Sequence, residues 1–139
     1  MPQNSCYTYF RIIGDFNPDS VTEILGLQPN TAWKIGDARR NGKEYDFASW
    51  EYGRCDEYDV IVTNQMRKTI EPFLGKIDLL NKIRMENDVS FYLEIVPTIY
   101  AGNSNPSLSP SLEVIDFCHA TRTKIDIDMY VIEADKGSL

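Results

Sequence analysis

An α+β domain, with one mainly antiparallel open sheet and helices packed on a single face of it, is the fold this sequence predicts. Three observations predict it. The strand-like segments alternate apolar with polar residues, so each offers one face to a core and one to water. Between residues 59 and 86 apolar positions recur every three or four residues, the period of a helix laid on that core. The helical segments suffice to cover only one side, which leaves the other side of the sheet bare. A strand, loop, proline-started helix and strand occur in residues 6–35 and again in residues 89–132. That echo fits a duplicated split β-α-β unit, a ferredoxin-like arrangement, with chance similarity of two short segments as the competing explanation.

Residues 6–13 (CYTYFRII) are aromatic and β-branched and end at Gly14-Asp15, a strand followed by a turn. Asn17 then caps a short helix that Pro18 opens, Ile24 and Leu25 bury, and Gly26 stops. A brief extended piece at residues 31–35 and a polar loop at residues 36–43 precede a second strand at residues 46–52 (DFASWEY). In the long helical segment Val62, Met66, Ile70, Phe73, Ile77, Leu80 and Ile83 form the buried stripe, and Pro72 with Gly75 breaks it into two helices. Val89, Phe91, Leu93 and Ile95 alternate with Ser90, Tyr92 and Glu94 as a strand, and residues 98–109 carry loop chemistry. Ser109-Pro110 opens a last helix bearing Leu112, Ile115 and Cys118. Residues 124–132 close the chain as one strand, with Ile125, Ile127, Met129 and Val131 inward and Asp126, Asp128 and Tyr130 outward.

The 139 residues suit one domain spanning 1–139. Fourteen Lys and Arg against 21 Asp and Glu give a net charge of −7, so nucleic acid and anionic lipid are disfavoured as partners. The chain opens without a basic segment followed by an apolar one, and no apolar run approaches the ~18 residues of a membrane span, which reads as cytoplasmic. Cys6, Cys55 and Cys118 are odd in number and far apart, so they read as reduced, buried thiols.

Gly14-Asp15-Phe16 with Pro18, Leu27 with Pro29 and Thr31, Trp33 with Gly36-Asp37, Trp50, and residues 126–130 (DIDMY) together resemble a bacterial family known as domain of unknown function forty-two seventy-nine. The resemblance runs from about Tyr7 to Tyr130. It implies a small stand-alone bacterial protein, of a kind associated with toxin–immunity loci, and brings no catalytic residues.

No nucleotide or cofactor motif is present: the glycines are isolated and there is no GxSxG elbow. His119 is the only histidine; beside Leu112 and Ile115 it belongs at the edge of a buried stripe, and adjacent Cys118 cannot face it as a dyad. Asp126 and Asp128, two apart on a strand, share a face and would hold a hard divalent cation if Asp15 or Asp37 came close to them.

The outward face is richer. Alternation sends Tyr7, Tyr9, Arg11, Tyr92, Glu94, Asp126, Asp128 and Tyr130 to it, and Trp50 and Tyr52 join them if Phe47 is the inward residue, which the pattern leaves open. Tyr and Trp are hot-spot residues because each offers a large rigid contact with a polar end. Glu44, Asp46, Glu51, Asp56, Glu57 and Asp59, opposed by Arg54, form an acidic run that would steer a basic partner. The first expectation is therefore a non-enzymatic interaction module, an immunity-type inhibitor that occludes a basic toxin. Its contacts would be Tyr7, Tyr9, Trp50, Tyr92, Asp126, Asp128 and Tyr130, steered by Glu51, Asp56, Glu57 and Asp59. The alternatives are a metal-dependent or small-ligand enzyme built on Asp15, Asp37, Asp126 and Asp128, and a homodimeric scaffold joined through the open sheet, whose tyrosine pairs would otherwise only stabilise a wet face.

Overall fold

Eleven residues, Ser5–Asp15, make the strand β1 on which the sheet is built; the computed structural model describes residues 2–133. Alternation along β1 is strict, with Cys6, Thr8, Phe10 and Ile12 buried and Tyr7, Tyr9, Arg11 and Ile13 half-buried on the reverse. Helix α1 (Pro18–Leu25) follows. Its Asn17 cap accepts the Asp19 amide at 3.0 Å, and Gly26 closes it in the left-handed region at φ 67°, returning its amide to the Thr22 carbonyl.

Strands β2 (Thr31–Trp33) and β3 (Ala48–Cys55) lead to α2 (Thr63–Ile70), a 3-10 turn at Glu71–Phe73 and α3 (Ile77–Glu86). The interruption falls at Pro72, which has no amide for the ladder. Every position of the expected stripe, from Val62 to Ile83, lies in or against the core. Strand β4 (Asp88–Tyr100), α4 (Leu112–Thr121), β5 (Lys124–Ile127) and β6 (Tyr130–Ile132) complete the described chain.

The sheet order is β2-β3-β1-β4-β5, with β6 also on β4; β5 and β6 run parallel to β4 and the other neighbours are antiparallel. The chain is thus α+β, with one open, mainly antiparallel sheet. In the first half β3 lies between β1 and β2, a split β-α-β unit. In the second half β5 sits directly beside β4, because the sequence there has no counterpart of β3 to insert, so the duplication of split units is realised only once.

All four helices lie on the face that carries Phe10, Leu93 and Ile95. Phe10 meets Phe73, Phe91 and Phe117 at ring-centroid distances of 4.6, 5.6 and 6.2 Å, tying β1 to the 3-10 turn, β4 and α4. Trp50 belongs to this core. Opposite Ile12 in the ladder it is fully buried, stacks on Tyr52, and donates its indole N–H to Thr22 Oγ1 of α1 at 3.0 Å. The expectation that Trp50 contributes to the outward face is therefore corrected. Phe47 precedes β3 and takes the other side, so both inward aromatics of the strand, Trp50 and Tyr52, turn to the helices.

Three further expectations shift. Strand β4 runs to Tyr100, into the segment expected as loop. The last strand is broken at Asp128-Met129. Odd-numbered residues of β4 point their backbone at this edge, as the bonds from the Asp128 amide to the Ile95 carbonyl and from the Ala101 amide to the Ile132 carbonyl show, and at Pro97 the required amide is missing. Helix α4 starts after Ser111, which accepts the Val114 amide, and it buries Val114, Phe117, Cys118 and Thr121. Leu112 and Ile115 are exposed, and His119 points to solvent away from buried Cys118. Cys6 and Cys118 are buried thiols and Cys55 a half-buried one; burial pushes Cys6 and Cys118 up to about 11.

One irregularity matters for the outward face. Thr8 pairs with Cys55 and Phe10 with Tyr52, so β3 holds one residue more than β1 over this stretch. The bulge centres on Gly53, at φ +80°, where an added Cβ would stand 2.9 Å from the Thr69 carbonyl oxygen. Without the extra residue Arg54 would share the inward parity of Trp50 and Tyr52. With it, the guanidinium lies 3.9 Å from the centre of the Tyr7 ring. Gly53→Ala is expected to cost about 1–3 kcal/mol through the left-handed φ and the contact with Thr69. Urea unfolding checks this, and an unchanged midpoint would show that the bulge is not a constraint.

Candidate functional site: the open sheet face

Three registers fix this face. Tyr9 pairs with Glu94 and Glu94 with Asp126; Arg11 pairs with Glu51 on one side and Tyr92 on the other, and Tyr92 with Lys124. The side chains form rows across β3, β1, β4 and β5, with Tyr7 and Tyr9 stacked at 6.0 Å along β1.

Cations of the chain already sit against most of the rings. Arg54 lies over Tyr7, and Lys124 Nζ is 5.6 Å from the Tyr92 ring. Arg11 is 5.6 Å from Trp33 and 5.9 Å from Phe47, which with Tyr45 make an aromatic cluster at the β2 end. Arg11 also donates to Ser49 Oγ at 3.2 Å and meets Glu51 at 3.6 Å. Glu51 is consequently half-buried and paired, and burial raises its carboxyl while Arg11, Ser49 and Arg54 act against that rise. It is a member of the face, not a free steering charge.

The row Tyr9–Glu94–Asp126 is different in kind. Glu94 is only 6% exposed, although it projects on the side without helices, because Tyr9 and Asp126 flank it across the strands. Its carboxyl faces that of Asp126, with Asp128 nearby, and no N–H of the described residues bonds it; Arg11, the cation that lowers it, is committed to Ser49 and Glu51. Burial first, then Asp126, pushes Glu94 from 4.5 up to about 8. Near neutrality Glu94 therefore keeps its proton. Burial, helped by Glu51 and Glu94, also pushes Tyr9 up to about 12, so its hydroxyl stays neutral. At the rim Tyr130 donates to Asp128 Oδ2 at 3.1 Å, and that bond raises the Tyr130 hydroxyl.

Of the expected contact residues, Tyr7, Tyr9, Tyr92, Asp126, Asp128 and Tyr130 lie on or at the rim of this face, and Trp50 does not. The acidic run disperses. Glu44 and Asp46 are exposed in the β2–β3 connection; Glu57 reaches Lys68 of α2 at 3.6 Å, and Asp56 is exposed beside it. Asp59 accepts the Ile61 amide at 2.8 Å and the Asn64 side chain at 2.9 Å, bonds that lower its carboxyl and tie it to the start of α2. Asp56, Glu57 and Asp59 thus serve the helical layer. The four aspartates of the metal reading are also spread out. Asp15 pairs with Asp88, six positions along β1 from the Tyr9 row, and Asp37 accepts the Lys34 amide in the β2–β3 loop. Among the described residues no group of three or more His, Cys, Asp or Glu could hold a metal ion.

Arg54, Lys124 and Glu94 were not among the expected contacts. Alternation alone places Glu94 outward; its depth depends on its neighbours across the sheet, and Arg54 on a bulge that only Gly53 hints at.

This is an open sheet face rather than a cleft. The family is shown by sequence: a family model described as Domain of unknown function (DUF4279) matches residues 4–132, and the chain belongs to that family. Neither a curated protein nor a solved structure matches the chain. Among the described residues no helix is long and apolar enough to cross a membrane.

Because Glu94 in the folded chain keeps its proton up to about 8 while the unfolded chain releases it near 4.5, the folded state binds more protons between those values. Its contribution to stability is therefore fully present below 4.5 and declines as pH rises to about 8. Glu94→Gln, which keeps shape and donates to Asp126, should remove this decline. Unfolding midpoints for both proteins across that range check it; parallel curves would place Glu94 at an ordinary carboxyl value.

Proposed function

We propose that this protein is a non-enzymatic interaction module whose uncovered sheet face binds a basic protein, in the manner of an immunity-type inhibitor occluding a toxin domain. The observation that carries the reading is the set of half-buried tyrosines, Tyr7, Tyr9 and Tyr92, on a face that no helix of the described residues covers, with Glu94, Asp126 and Asp128 gathered at its β5 side. Rings held in place by neighbouring strands lose little freedom on binding and offer wide contact area. The charge of −7 favours encounter with a basic partner. Arg11, Arg54 and Lys124 are internally engaged with rings or carboxylates, so the carboxylates at the β5 side are the charges left for a partner.

Co-expression with the product of the neighbouring gene tests the reading. Rescue of growth and a stable complex are expected, weakened roughly thirtyfold or more by Tyr9→Ala or Tyr92→Ala if these are hot spots. Absence of both rescue and complex would overturn it. Sedimentation is the control: a dimer at micromolar concentration that the same substitutions dissociate would replace this reading with a homodimeric scaffold.

A further inference from the structure

We infer that two copies of this chain pair edge to edge through β5, antiparallel about a two-fold axis at Ile125, so that their sheets join into one. The inference does not rest on the docking face proposed above. Among the described residues no strand bonds the outer edge of β5. The Asp128 amide donates to the Ile95 carbonyl, and Ile95 pairs with Ile127. Even-numbered residues of β5 therefore turn their backbone to β4, and Ile125 and Ile127 turn theirs away from it. Such outward donors and acceptors are a template for a further strand.

The charge pattern points to a second copy as that strand. Residues 122–128 run Arg-Thr-Lys-Ile-Asp-Ile-Asp, antisymmetric in charge about Ile125. An antiparallel copy centred there sets Lys124 opposite the copy's Asp126, and Asp126 opposite the copy's Lys124, with Arg122 at the end that receives the copy's Asp128. A two-fold interface needs this self-complementarity. An axis at Ile127 would set Asp126 opposite Asp128, and an axis at Asp126 would set that carboxylate against itself, like-charge pairs that oppose a ladder. An axis at Met129 falls in the break between β5 and β6.

The same register fills a groove. On the helical side of β5, Ile115, Cys118 and Ala120 of α4 line it together with Thr123 and Ile125. Ile125 packs against the core from that side, and Ile127, two residues on, projects there too while 44% exposed. With the axis at Ile125 the copy's Ile127 stands opposite Thr123, over the groove and beside exposed Ile115. Ile125 exchanges both backbone bonds with its counterpart, and the Ile127 amide donates to the copy's Thr123 carbonyl; the Thr123 amide is already given to Cys118. The charge of −7 opposes the approach of two copies, but at ~0.15 M salt the Debye length is about 8 Å, so pairs in contact outweigh distant ones. Tyr7 and Tyr9 stay uncovered, on the same side in both copies.

Sedimentation equilibrium of the full chain in physiological salt tests this, with circular dichroism to check the fold of each variant. One short strand and one apolar contact per copy make a small interface, so dimerisation with a dissociation constant on the order of 10 μM is expected. Lys124→Asp and Asp126→Lys should each weaken it about tenfold or more, and the two together in one chain should restore it, because opposite charges again face across the axis. Ile127→Asp should abolish the dimer, and Tyr9→Ala should leave it unchanged. A monomer for the unaltered protein at concentrations about tenfold above that constant would overturn the inference. So would a folded double exchange that stays weakened, or a dimer that Tyr9→Ala dissociates and Ile127→Asp spares. A chain that dimerises in this way yet forms no complex with a basic partner would leave the edge pairing intact and remove only the docking face.

Discussion

The antiparallel ladder between β1 and β4 joins eleven consecutive pairs, from Ser5 with Thr98 to Asp15 with Asp88. A strand has a two-residue side-chain period and paired residues share a face, so slipping this ladder by one residue would turn the apolar set of one strand to the bare side and bury its polar set. Phe10, Ile12, Phe91, Leu93 and Ile95 all lie in the core on one side of it. That burial under four helices fixes the register, and the register in turn sets Tyr9 beside Glu94. The candidate site is a consequence of how the core packs on the opposite face.

Much of this was legible from residue pattern, and the parts that were not share a physical cause. The strands β1 and β4 and the broken helix were readable because long runs repeat one period and Pro72 interrupts one of them. Trp50 was not, because Phe47 and Trp50 have opposite parity and the pattern alone does not say which of them faces the core; the strand starts at Ala48, after Phe47. Arg54 reaches the open face through a one-residue bulge, which reverses parity locally and leaves only a glycine as its mark. The break between β5 and β6 is caused by Pro97 on another strand, an effect that no window of the last strand contains. Leu112 and Ile115 look like a buried stripe, yet α4 buries the side bearing Val114 and Phe117, since that is the side the Phe10 cluster meets.

The same comparison explains why charge sums were a poor guide to the site. Asp56, Glu57 and Asp59 dominate the acidic run in sequence, but they pair with or lie beside α2. Three cations of the chain, Arg11, Arg54 and Lys124, lie against rings or carboxylates of the open face, and so the face is internally neutralised over most of its area. The exception is the end where Glu94 meets Asp126. A buried carboxyl next to another carboxyl opposes folding when both are ionised, and the sheet keeps it because the core on the reverse side is strong enough to hold the register.

The most direct measurement is the titration of the Glu94 side-chain carboxyl by carbon-13 NMR in the protein alone. The account predicts a midpoint near 8. A midpoint near the ordinary 4.5 would mean that neither burial nor the neighbouring Asp126 carboxyl acts on Glu94 as the register implies.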